Sequence, residues 1–578
     1  MKLLVILILS QIYWQDTIVV QADYTKRFTS FTFPYNFHYI NLDIAGPDLN
    51  GLPGIVPLLG ANYGTITLGG TTPEENTILL NGIPLTDPQS GYTDITLLPR
   101  DMISGIELIH SGSVFSGSNG IGGIVNLLPS EGGMLGIRLG KYRRSFFLSP
   151  LSTPKINFSF YYEAFPDSFS YQNEFNKEVY YRNTKYTKKA LYWRSSIMIP
   201  FSFIFLVRES GAPGPEGSTL TASKEEKLYG FRITKEIGKI LFSLSGNEHF
   251  LKYIGTDNID THRTRAIYTH LKYSWVYCGL NLDEVVSTKI EKRWKYDAYF
   301  KLEKTINLRY LDLNAHLRLD HFQNFNMVPT WSLSLYRKFG RNMFFFVNFS
   351  SNFRSPTFNE LYWPEDRFAA GNSELKPEYS KNIDAGLRML LPNIFITLSL
   401  YHKNIKNKIL WTSDGKWIPK NFSRLKTAGI EWEISWETQR WFSIYFSGNL
   451  LRAYENDKPF IYRPNISYLI SSKILNLVKL QVSYVGERPA RLNSPKKLPA
   501  FYLINMKVEK NITFKKYIFL IKFGIENILD CNYEIIRGYP QPGREFFLNL
   551  NIKRGYYETL YIHNPTNIIL DLAFLYKE

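Results

Sequence analysis

The sequence predicts an all-β membrane protein, a large antiparallel barrel preceded by a small compact domain. Three observations carry this expectation. Apolar and polar residues alternate with period two through roughly 400 residues beyond about position 140, with no break that would end a domain. Aromatic residues make up 16% of the chain, including 39 Tyr and 41 Phe, as the interfacial girdles of a membrane barrel require. A short apolar run, Leu3–Leu9, follows Lys2 in the manner of a secretory signal. Alternation alone would suit a soluble sandwich equally well. Export, aromatic content and unbroken length favour strands that turn their apolar face to lipid and their polar face to a lumen. A closed barrel also pairs its backbone hydrogen-bonding groups, which lipid demands.

The elements follow in order. Residues 1–15 are expected to be a signal peptide, with a buried first strand as the alternative. The next stretch, "QDTIVVQADYTKRF", supports two exclusive readings. Val20-Gln21-Ala22 has the form of a signal cleavage site, whereas Asp16-Thr17-Ile18-Val19-Val20 has the form of an extended segment that a partner grips. Residues 23–135 are Gly-rich and poor in charge, with short strands and turns such as "GLPGIVPLLGANYGTITLGG". From 136 to 554 the alternation dominates. In "LDLNAHLRLD", Leu311, Leu313, Ala315, Leu317 and Leu319 alternate with Asp312, Asn314, His316, Arg318 and Asp320; "INFSFYYEAF", "FSIYFSGNL" and "EFFLNLNIK" behave alike. Residues 555–578 continue past the last alternating segment as an extra strand or an appendage.

Several function classes are excluded. No run approaches the roughly 18 apolar residues of a spanning helix. Two cysteines, Cys278 and Cys531, are too few for a disulfide framework or a cysteine-rich metal site. The nine histidines are scattered, and no metal ligand set is expected. "SGSNGIGGIVNL" lacks the third glycine of a dinucleotide loop and precedes a strand, not a helix; no G-x-x-x-x-G-K-[ST] occurs. The net charge of +17 is dispersed, which argues against nucleic acid and suits an anionic membrane face. No nucleophile–base constellation stands out, so neither an enzyme nor a cofactor is expected.

"LPGI" (Leu52 to Ile55), "ILLNGIPLTDP" (Ile78 to Pro88), "LPRDMISGIELIHSG" (Leu98 to Gly112) and "GSNGIGGIVNL" (Gly117 to Leu127) resemble the plug domain of TonB-dependent outer-membrane receptors. "FRSPTFNELYWP" (Phe353 to Pro364), "GNSELKPEYS" (Gly371 to Ser380), "AGIEWE" (Ala428 to Glu433) and the segment Glu526 to Arg554 are similar to that family's barrel motifs, in the same order. The resemblance implies an outer-membrane location and a barrel of about 22 strands filled by the plug; about 420 residues shared among them leave some 19 per strand with its connection. It implies a TonB box near the mature N-terminus. Asp16 to Ala22 matches the form D-T-x-V-V-x-A that the box takes in cobalamin receptors. Such a box adds as a strand to a sheet edge of TonB, with Asp16, Thr17, Ile18, Val19 and Val20 in contact. Energy would then arrive from the inner membrane.

The resemblance also implies site residues. Plugs of the family carry arginines that face two barrel glutamates and help to seat the plug. Those glutamates match Glu378 and Glu431, but the arginine motifs read "LGG" (Leu68 to Gly70) and "IHSG" (Ile109 to Gly112). The expectation is a lock that has lost its cations, with His110 partly replacing them or water reaching both carboxylates. The loop "TDPQSGYTD" is the expected ligand contact at the outward apex, through Thr86, Asp87, Gln89, Ser90 and Tyr92. Cobalamin is the expected ligand of a monomeric importer, with ferric siderophore the alternative and a non-transporting signalling or adhesive barrel a further one. Haem fits less well, since no histidine lies between Pro356 and Gly371.

Overall fold

Twenty-two long antiparallel strands close into a barrel in the computed structural model. The structure describes residues 37–554, apart from 46–48, 61, 131–132, 154, 173–176, 219–220, 257, 309–310, 324, 341, 414, 439–440, 491–495 and 516. The expected signal, the Asp16–Ala22 segment and the tail 555–578 lie outside the described residues.

Seven strands precede the barrel: β1 (Phe37–Asn41), β2 (Ile55–Leu59), β3 (Gly64–Leu68), β4 (Asn76–Leu80), β5 (Ile83–Pro84), β6 (Ile103–His110) and β7 (Gly123–Pro129). Five of them form a sheet in the order β1-β6-β7-β4-β5, with β4 and β7 parallel, while β2 and β3 pair as a separate hairpin. Two short helices, α1 (Leu42–Ala45) and α2 (Ser113–Ser116), complete this unit. Ile40, Ile78, Leu80, Ile106, Leu108, Val125 and Leu127 form its core, which runs on into Tyr192, Ile204, Leu206 and Leu228 of the barrel wall. The unit therefore fills the lumen as a plug.

The first barrel strand, Gly133–Gly140, begins slightly ahead of the boundary expected at 136. It pairs with the last, Glu545–Arg554, matching Leu139 to Leu548 and Ile137 to Leu550, and so leaves no open edge. The alternation read in "LDLNAHLRLD" has the polarity of a membrane barrel. Leu317 and Leu319 are 52% and 37% exposed, whereas Arg318 and Asp320 are 2% and 0% exposed. A soluble sandwich would bury the leucines instead.

Connections at one end are tight turns, such as Gly238-Lys239 and Ser274-Trp275, where Gly238 and Ser274 take positive φ. Those at the other end are longer and include α3 (Phe358–Tyr362), started by a capping box of Thr357 and Glu360. Short turns on the periplasmic side and long loops outside are the outer-membrane arrangement. Trp275, Trp436 and Trp441 are exposed near the short turns, and Trp294 and Trp417 near the long loops, as two aromatic girdles.

Candidate functional site

The apex loop after β5 is a self-bonded turn. The Asp87 carboxylate accepts from the Gln89 amide at 3.3 Å, the Ser90 amide at 3.1 Å and the Ser90 hydroxyl at 2.7 Å. Gly91, at φ +82°, lets its amide return to the Asp87 carbonyl at 2.8 Å. The barrel grips this loop. The Thr264 hydroxyl donates to Asp87 at 2.7 Å, and Gln89 Nε2 lies 3.1 Å from Asn359 Oδ1 on α3 and 3.0 Å from His262 Nδ1. Of the five expected contacts, Thr86 and Gln89 are buried, while Asp87, Ser90 and Tyr92 keep part of their surface open. The Tyr92 ring meets Tyr63 edge-on at 5.5 Å. Burial, reinforced by the Asp87 charge, lifts the Tyr92 hydroxyl above its ordinary range, so it is a neutral hydrogen-bonding group.

Asp94 closes the loop. It accepts from the Thr96 and Gly64 amides at 3.0 Å each and from the Arg208 guanidinium of the barrel at 2.8 Å. Burial pushes its carboxyl up, but Arg208, the Thr96 hydroxyl and Lys224 outweigh burial and hold it below the usual carboxylate range.

Deeper in the lumen the expectation for Glu378 needs correction. The residue is fully buried but not short of cations: Arg354 lies 2.7 Å from it and Lys408 3.2 Å, and the Ile409 amide donates at 2.8 Å. The positive charge is supplied by the barrel instead of the plug. Lys408 Nζ also reaches Glu75 Oε1 at 3.2 Å and the Thr72 hydroxyl at 2.8 Å, so one ammonium bridges a barrel carboxylate and a plug carboxylate. Two further barrel cations hold the same plug segment. Lys403 donates to the Gly122 carbonyl at 2.7 Å, and Arg463 donates to the carbonyls of Gly70, at 3.2 Å, and Thr71. Gly69 stands where the plug arginine was expected. A Cβ there would come 2.9 Å from Lys403 Nζ, so the barrel lysine occupies the space into which a plug side chain would extend.

At Glu431 the partner is His110, with Nε2 3.2 Å from Oε2 and both side chains buried. His38 of β1 completes a group of three: its ring sits 5.5 Å from that of His110, nearly perpendicular, and its Nε2 lies 3.4 Å from the Ser399 hydroxyl. One ligand atom from each of His38, His110 and Glu431 lies within 4.8 Å of the others. Burial, then Arg388, then His110 hold the His38 imidazole well below its ordinary pKa.

The interface around these groups is largely polar. Asn449 donates to the Leu52 carbonyl at 2.7 Å, Asn382 to Ile121 at 3.0 Å, Asn247 to Pro84 at 3.0 Å and Gln481 to Ala45 at 3.1 Å. Sequence reasoning missed Glu75, Lys403, Lys408, Arg463, Arg208 and His38. Parity along the strand Ile394–Ser413 marks Lys403 as inward-facing. Lys408 has the opposite parity and turns inward only because the ladder shifts register between Ile405 and Lys408.

Comparison with known proteins yields consistent matches. The family described as TonB dependent receptor-like, beta-barrel, matches residues 114–528, and the TonB-dependent receptor plug domain matches residues 49–124. The chain is 24% identical over 486 residues to the vitamin B12 transporter BtuB of Vibrio vulnificus (strain YJ016), covering 74% of this chain and 77% of the relative. It is 23% identical over 563 residues to the BtuB of Photobacterium profundum, covering 87% and 89%. Among solved structures, the siderophore receptor PirA from Acinetobacter baumannii superposes with a TM-score of 0.69 at 15% identity, over 90% of this chain and 98% of that one. A mutant of the ferric enterobactin receptor PfeA from Pseudomonas aeruginosa, in complex with enterobactin, gives 0.68 at 14% identity, over 90% and 99%. At such identities the structural likeness speaks for the fold alone.

Proposed function

We propose that this chain, which belongs to the TonB-dependent receptor family and resides in the bacterial outer membrane, imports cobalamin with energy delivered by TonB. The observation that carries the ligand is the similarity to vitamin B12 transporters over 87% of the chain. The Asp16–Ala22 segment, with the D-T-x-V-V-x-A form, supports it.

In this reading the ligand docks on Asp87, Ser90 and Tyr92, which offer a carboxylate, a hydroxyl and a neutral phenol at the outer apex. Thr86 and Gln89, buried against the wall, set the loop's position. Binding would disturb the links from Asp87 to Thr264 and from Gln89 to Asn359 and so loosen the plug's outer end. TonB would pair with Asp16, Thr17, Ile18, Val19 and Val20 as an added strand and pull. The first described element to feel that pull is β1, an edge strand joined to β6 by five residue pairs. Lys408, between Glu75 and Glu378, and His110, against Glu431, hold the plug until then. The polar part of the interface is hydrogen-bonded, and water entering the gap can replace those bonds one at a time.

The test is uptake of radiolabelled cobalamin by cells that have this chain as their sole candidate receptor. Saturable uptake that disappears on deletion of TonB, and on Val19→Pro, is expected. Uptake of a ferric siderophore instead, under the same TonB control, would replace the ligand; binding without uptake would indicate a signalling barrel.

A further inference from the structure

We propose that His38, His110 and Glu431 form a transition-metal site that staples the first plug strand to the barrel wall. Two imidazoles and one carboxylate are a donor set that zinc and ferrous iron accept, with positions left for water or a hydroxyl. The three ligand atoms lie within 4.8 Å of one another, and an ion about 2.0–2.2 Å from each would draw them together by small side-chain movements. The Ser399 hydroxyl, 3.4 Å from His38 Nε2, is a further polar group at the cluster.

Three observations favour an ion over plain packing. Glu431 is 1% exposed, and its Oε1 accepts no hydrogen bond among the described residues, an expensive state for a buried carboxylate. The charges around it leave room for a cation. Lys403 is shared among Asp384, Glu431 and Glu75, and Arg388, which acts on His38, interacts with Glu433, so Glu431 has no cation to itself and its direct ionic contact is with His110. The pocket is also closed by a residue that had to be small. Gly54 has φ +68°, and a Cβ on it would come 2.8 Å from the His110 ring and 2.9 Å from Glu431 Oε1.

The ligands come from three separate places: β1, the end of β6 and the barrel strand Trp417–Glu437. An ion there ties the edge strand of the plug sheet both to its neighbour and to the wall. With all three side chains buried, uptake belongs to the stage at which the barrel closes around the plug. The mechanical consequence, resistance to a pull from the N-terminus, rests on the import reading; the site itself does not.

The full-length protein should be extracted from outer membranes and its metal content measured by mass spectrometry. It should then be refolded with Zn²⁺ or Co²⁺, with His38→Phe and Glu431→Gln carried in parallel. About one ion per chain is expected, with a visible Co²⁺ spectrum of low-coordinate nitrogen and oxygen ligation. Each variant should lower Zn²⁺ affinity by at least about tenfold while the barrel keeps its β-sheet circular dichroism. Absence of stoichiometric metal in both preparations would overturn the site, as would equal binding by wild type and both folded variants. Metal loss in Glu431→Gln with unchanged plug stability would overturn the staple. Failure of the wild type to transport cobalamin would bear on the import reading alone.

Discussion

Replacing Lys408 with Met should loosen the plug without unfolding the barrel. The Lys408 side chain is 2% exposed, and its ammonium touches Glu75 and Glu378, each with a side chain 0% exposed. Removing one partner of a buried ion pair costs about 3–5 kcal/mol. Here Glu378 keeps Arg354 and the Ile409 amide, and Glu75 Oε2 keeps the Thr72 amide at 2.6 Å. The loss therefore falls mainly on Glu75 Oε1, and the low end applies, about 3 kcal/mol. With a urea slope of about 1.5 kcal/mol/M for a domain of this size, the plug's unfolding midpoint should fall by about 2 M. The assay is thiol labelling of a cysteine introduced at Leu80, buried in the plug core, in a background where Cys278 and Cys531 are Ser. Glu75→Gln in the same chain should restore more than half of the loss, because the stranded charge disappears with it. A midpoint that does not move with Lys408→Met, or two effects that simply add, would refute the bridging role.

Other predictions follow from neighbouring contacts. Gly69→Arg, which reinstates the plug arginine expected of the family, should destabilise the plug by about 2 kcal/mol or more, since a side chain at φ +57° alone costs about 1 kcal/mol and this one meets Lys403. Adding Lys403→Ala should recover much of that in the same labelling assay; a worse double variant would contradict the exchange of space. Asp94 has a folded-state pKa below its unfolded value, so its contribution is present above about pH 4 and is lost as pH falls through the folded value. Asp94→Asn should accordingly lower plug stability at neutral pH and flatten the acid limb of its pH profile, read by urea titration at stepped pH. Leu317→Arg, at the middle of a lipid-facing strand, should cost the barrel about 2–4 kcal/mol in refolding into bilayers, whereas substitution of an inward residue such as Asn314 by Ser should cost far less.

The sequence by itself determined the barrel and its polarity. Period-two alternation is a local property, and with an aromatic content high enough for two girdles it points to strands whose apolar face meets lipid. The plug was legible from its turn and strand motifs, and the contact of His110 with Glu431 from the altered "IHSG". The rest of the site was decided by tertiary structure. Glu75 and His38 are unremarkable in sequence and matter only because the plug sheet sets them against the wall. Lys408 faces away from the lumen by parity, and a register shift after Ile405 turns it inward to Glu75 and Glu378. The missing plug arginines suggested an empty lock, yet at Glu378 and Glu75 the charge is balanced by cations from the barrel side of the interface. Burial in the lumen requires that each carboxylate find a partner, but not which chain segment supplies it. That choice depends on side chains far apart along the chain, and only the closed barrel brings them into contact.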